Sequence, residues 1–174
     1  PHYRSQPLEY LTYLVSYGGE RSLRRVLSDS LGLASSLQVM ADENGAGTNF
    51  YMLFRLTPLG HEHPHMVMHT VFAYLAMARR VGVDQQLYST LADAMRLQWD
   101  WAQPSGPSDT VQSFAERMPK VPREHLLLAA RIDAQNASAV LSLLEMLRPD
   151  NMNAILVSPN AEQNSTFREQ AREL

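Results

Sequence analysis

The chain has 174 residues, of which 45% are hydrophobic and 19% charged; its net charge is −3 and it contains no cysteine. That length supports one domain with a genuine core, about 70% of the unfolded surface being buried at this size, and the charge balance offers no positive field for nucleic acid or anionic lipid. Disulfides, a thiol nucleophile and thiolate metal ligands are excluded together, a reducing compartment (cytosol or organelle matrix) is expected, and with no apolar run near 18 residues and no leader, neither a membrane span nor export is expected.

In chain order, His2 to Gln6 reads as an extended arm, and a chain opening at Pro1 without methionine is expected to be an excised or processed piece. Leu8, Leu11, Leu14 and Val15 follow at helical spacing, Gly18-Gly19 interrupts the pattern as a hinge, and it resumes at Leu23, Val26 and Leu27. Leu37 to Met40 turns towards strand, Asn44-Gly45 is a turn signal, and Phe50, Met52, Phe54 and Leu56 alternate, so a β-hairpin is predicted. Thr57-Pro58 has the form of an N-cap with proline at the first helical position. Val67, Val71, Tyr74, Leu75 and Ala78 then make an apolar face that ends near Gly82. Asp84 caps the next helix, which carries Leu87, Leu91, Ala94 and Met95 into Trp99 and Trp101 and stops at the cluster from Pro104 to Pro107. A helix from Asp109 bears Val111, Phe114, Ala115 and Met118. It is followed by a short helical stretch at Glu124 to Ala130, a helix with Val140, Leu143, Leu144 and Leu147, and a strand from Asn153 to Val157. The polar residues 159–174 read as a linker or tail, leaving residues 1–158 as the folded part. The class is α+β, with a helix-rich layer packed on an antiparallel sheet.

The sharpest chemical motif is His61-Glu62-His63-Pro64-His65, which spells H-E-x-x-H, two histidines one helical turn apart with a glutamate as base. That pattern requires a regular helix. Pro64 has no N–H for the carbonyl of Gly60, and its ring crowds that carbonyl at about 3 kcal/mol in a helix interior. Gly60 and Pro64 are therefore expected to bracket a helix start, leaving a polar histidine cluster at which His61, His65 and His69 could bind metal only adventitiously. No Gly-x-Ser-x-Gly elbow exists, and Gly45-Ala46-Gly47 lacks the further glycine or Lys-Ser/Thr of a phosphate loop.

The block Tyr3-Arg4-Ser5 with Pro7, Tyr10-Leu11, Leu14, Gly19 and Ser22-Leu23 resembles the second homologous domain of the insulin-degrading enzyme and pitrilysin family of zinc metalloendopeptidases. The resemblance continues through Phe54, Leu56-Thr57 and Gly60, then Pro107-Ser108-Asp109, Ala115, Met118, Pro122, Glu124-His125 and Leu127. It closes at Leu144, Leu147, Pro149, Asn151-Met152 and Leu156-Val157-Ser158, so it spans about Tyr3 to Ser158. The family's inverted motif, H-x-x-E-H, would need histidine at 59 or 121, where Leu59 and Val121 stand. The resemblance therefore implies a non-catalytic domain, with zinc held in the parent protein's first domain, and a domain that lacks its first strands.

By the same resemblance, Leu37, Gln38, Val39 and Met40 align with an edge that adds a substrate's N-terminal segment as an extra strand, with Tyr17 and Gly19 lining its base. Relatives carry glycine where Arg21, Val39 and Met40 stand, which implies closer packing or a different peptide preference. Leu37 to Met40 also reads simply as a core strand. The implied partners are a peptide substrate, the parent's other domains and a second copy paired through the exposed sheet edge. Two alternatives remain: a structural homologue of the processing-peptidase type, and a small zinc hydrolase using His61, Glu62 and His65.

Overall fold

A computed structural model describes residues 2–44, 47–103, 105–127 and 131–158. Pro7 at the first helical position starts α1 (Pro7–Ser16), which buries Tyr10, Leu11 and Val15 along one face. After the Gly18-Gly19 break, the Ser22 hydroxyl accepts from the Arg25 N–H and starts α2 (Leu23–Arg25), which widens over Val26–Ser30 until the Leu31 N–H bonds to the Val26 carbonyl. Strands β1 (Ala34–Asn44) and β2 (Gly47–Leu56) form an antiparallel hairpin, with a register shift between Ala34 and Ser36. The turn residue Gly45 lies outside the described residues.

Thr57 accepts from the Gly60 N–H and caps α3 (Pro58–Glu62); Pro64 then opens the long α4 (Pro64–Val81), which ends at Gly82 with φ 82°. Asp84 accepts from the amides of Gln86 and Leu87 at the head of α5 (Gln85–Asp100). Helix α6 runs over Pro107–Arg117, starting two residues before the expected Asp109 because proline suits the first turn. A single tight turn, Arg123–His125, stands where a helical stretch to Ala130 was expected; residues 128–130 are outside the described set. Helix α7 (Ala137–Met146) is capped by Asn136, which accepts from the Ala139 N–H.

The core joins Tyr10, Leu11 and Val15 of α1, Leu23, Leu27 and Leu33, Val67, Val71 and Leu75 of α4, Tyr88 and Leu91 of α5, and Val140 and Leu144 of α7. Leu37, Val39, Phe50, Met52, Phe54 and Leu56 cover it from the hairpin side. Helices on one face of an antiparallel sheet make this an α+β fold, as the hydrophobic periods predict. Among the described residues no helix is long and apolar enough to cross a membrane.

Two expectations are corrected. His2 to Gln6 is a tight turn: the amides of Ser5 and Gln6 both bond to the His2 carbonyl, and Gln6 has φ 39°. Tertiary contacts hold it there, the Tyr88 hydroxyl donating to the Ser5 carbonyl and Tyr3 bonding His125 Nδ1 at 2.7 Å. Residues 153–157 are not a laddered strand either. They alternate exposed and half-buried with strand period, yet have no ladder partner among the described residues. The expected tail, 159–174, lies outside the described residues.

Candidate substrate-binding edge

Strand β1 carries Leu37, Gln38, Val39 and Met40 opposite Phe54, Leu53, Met52 and Tyr51 of β2. Successive side chains point to opposite faces. Leu37 and Val39 therefore pack on the core beside Phe54 and Met52, while Gln38 and Met40 face outward, Met40 being 50% exposed. Tyr51 and Leu53, opposite Met40 and Gln38, are also exposed, so the outward face is apolar in the middle of the hairpin. One edge of β1 is taken up by β2; the other has no ladder partner among the described residues. The core-strand reading and the open-edge reading therefore describe the two sides of one segment.

Helix α1 packs on β1, and Tyr17 is its C-cap. The Tyr17 ring stands 6.0 Å from that of Tyr13 and lies over Gly19, in the space a Cβ there would need. The hinge carries a strained residue, but it is not Gly19. Arg21 has φ 62°, and the left-handed conformation costs an L-residue about 1–2 kcal/mol. A Cβ at Gly19 would instead meet the ring of Tyr17, a surface side chain that can move aside. Sequence reasoning placed the hinge at Gly18-Gly19 and did not find the positive φ at Arg21. It also missed Tyr51 and Leu53, which the hairpin register sets beside Met40 and Gln38.

The histidine motif is divided between two helices. His61 lies in α3, His63 forms the break at φ −127° and ψ 56°, and Pro64 opens α4 ahead of His65. His61 Nε2 is 2.7 Å from the Ser158 hydroxyl, and the rings of His63 and His65 meet edge-on with centroids 5.9 Å apart. His65 Nδ1 is buried without a hydrogen-bond partner, and His69 is exposed one turn further along α4. Among the described residues no three histidine, aspartate or glutamate side chains converge as metal ligands. The residues present do not fit a zinc site, because the break at His63 removes the one-turn spacing that H-E-x-x-H requires.

A family model described as "Middle or third domain of peptidase_M16" matches residues 99–172. Protease 3 of Escherichia coli (strain K12) is 32% identical over 170 residues, covering 94% of this chain and 17% of that protein. Nardilysin of Rattus norvegicus is 26% identical over 173 residues, covering 97% of the chain and 15% of that protein. The chain thus spans about a sixth of the length of the curated relatives it matches. The crystal structure of pitrilysin superposes with a TM-score of 0.81 over 98% of this chain and 21% of that one at 24% identity, a likeness of fold.

Proposed function

This chain belongs to the insulinase family of peptidases, of which it is a partial domain, and from that premise we propose that it holds peptide substrate for a longer parent enzyme rather than cleaving it. The observation that carries the reading is the one-sided pairing of β1: Leu37 to Met40 are laddered to β2 along one edge, and the other edge has no ladder partner among the described residues. Main-chain amides and carbonyls on an open edge bind an extended peptide as a further strand without reading its sequence. Tyr17 and Gly19, at the end of the helix that packs on β1, line the base of this edge. Hydrolysis belongs to a zinc centre in another domain of the parent, within a reducing compartment.

The same edge supports pairing with a second copy when the chain stands alone, because unpaired strand edges template one another. Peptide and second copy then compete for one surface.

Proline scanning tests the proposal. N–H groups alternate in direction along a strand, so of Gln38→Pro and Val39→Pro one deletes an amide aimed at the open edge and the other a ladder bond to β2. The outward variant is expected to weaken binding of a fluorescent extended peptide, measured by anisotropy, and to weaken self-association in sedimentation, while keeping the parent melting temperature. Unchanged peptide affinity in both variants would refute the edge as the binding surface.

A further inference from the structure

We infer that the outward side chains of β1 select the peptide its open edge holds: an extended segment with a large apolar side chain beside Met40 and a basic side chain beside Asp42. The inference rests on the edge reading above and adds to it what main-chain pairing leaves open. Side chains alternate along β1, so Gln38, Met40 and Asp42 form one outward row, and all three are exposed. The inward row, Leu37 and Val39, is packed against the core and leaves an added strand little side chain to meet. In the middle of the outward row Met40 is backed by Tyr51, its partner on β2, with the exposed Leu53 beside that ring in the row of β2. Side chains directly opposite on paired strands stand about 5 Å apart. An apolar side chain on an added strand therefore covers Met40 and extends this patch, whereas a polar one leaves it in water.

Charge fixes the second position. Asp42, next in the outward row after Met40, is exposed and enters no ion pair among the described residues. Its partner on β2 is the neutral Asn49, while the outward residue at the far end of β2 is Arg55, of opposite sign. A basic side chain is thus favoured at the turn end of the hairpin and opposed at the other. The apolar and basic side chains must then lie two residues apart in the peptide, because only alternate residues of a strand share a face. Pairing of β1 with β1 of a second copy does not meet this requirement. The strand carries the carboxylates of Asp42 and Glu43 and no lysine or arginine, so it brings no cation to Asp42.

The test follows the anisotropy of short fluorescent peptides built on serine and threonine. One carries leucine and lysine two residues apart; in the others serine replaces the leucine or glutamate replaces the lysine. Each replacement is expected to weaken binding to the 174-residue chain about twofold to fivefold, the range of a cross-strand pair, and the lysine preference should shrink as salt rises. Met40→Thr should erase the leucine preference alone, and Asp42→Lys should reverse the order of the lysine and glutamate peptides. Both residues are exposed, so each variant should keep the parent melting temperature. If either preference is missing, or survives in the variant meant to remove it, while the outward proline variant still weakens binding, the inference fails and the edge stands. If no peptide binds, or both proline variants bind as the parent does, the inference and the edge reading fail together.

Discussion

At the residue scale, two glycines show how different reasons lie behind one residue type. A Cβ on Gly60 would overlap the backbone carbonyl of Leu33, the same carbonyl that accepts from the Thr57 N–H at 3.1 Å. Backbone cannot swing aside as a side chain can. Gly60→Ala is therefore expected to cost about 2 kcal/mol or more, as overpacked cores do, and to lower the urea midpoint accordingly; a variant as stable as the parent would show that α3 shifts freely on Leu33. At Gly19 the obstacle is only the ring of Tyr17, itself 41% exposed. A substitution there mainly displaces a surface tyrosine, and the positive φ belongs to Arg21 two residues on. Motif and glycine were both legible in the sequence; which neighbour each would meet was not, because Leu33 and Tyr17 reach these positions only through the fold.

At the element scale, helix ends were readable wherever the cap is local. Thr57 with Pro58, Asp84 and Gly82 obey rules that span at most four residues, and each stands where those rules put it. The end of α7 is held differently. Arg79 of α4 donates from Nε to the Leu144 carbonyl at 3.0 Å, which also takes the Leu147 N–H, and from a terminal nitrogen to the Leu147 carbonyl just past the end of α7. Arg79→Met keeps the apolar stem and removes both charged donors, so a loss of about 1–2 kcal/mol in chemical denaturation is expected. Loss of far less would mean that water replaces the guanidinium. Nothing in the local sequence of α7 announces this contact, since its donor lies 65 residues earlier.

At the scale of the whole molecule, α1 is tied to α5 by two tyrosines whose rings lie 4.7 Å apart. The Tyr10 hydroxyl accepts from the Asp84 N–H at 3.0 Å, and Tyr88 donates to the Ser5 carbonyl. Burial raises the pKa of Tyr10, Tyr88 and Tyr74 above the ordinary value, because the folded state disfavours the phenolate. A group that ionises less readily when folded stabilises the fold fully below its unfolded pKa of about 10, and this contribution is lost as pH rises through the folded value. Stability should therefore fall steeply above pH 10, followed by tyrosinate absorbance together with helix content. Tyrosines that ionise before the helices melt would show that these rings are accessible in the folded state.

By itself the sequence determined the helices with their local caps, the hairpin with its alternating faces and the break in H-E-x-x-H, since each rests on contacts within a few residues or on a simple period. It also carried the family resemblance, through ordered blocks from Tyr3 to Ser158. The tertiary structure decided what depends on distant partners. His2 to Gln6 turns because Tyr88 and His125 hold it, and residues 153–157 keep strand period without a ladder because pairing needs a neighbour and none stands there among the described residues. The open side of β1 among the described residues belongs to the same class: an unpaired edge is a property of what surrounds a segment, which no local pattern records.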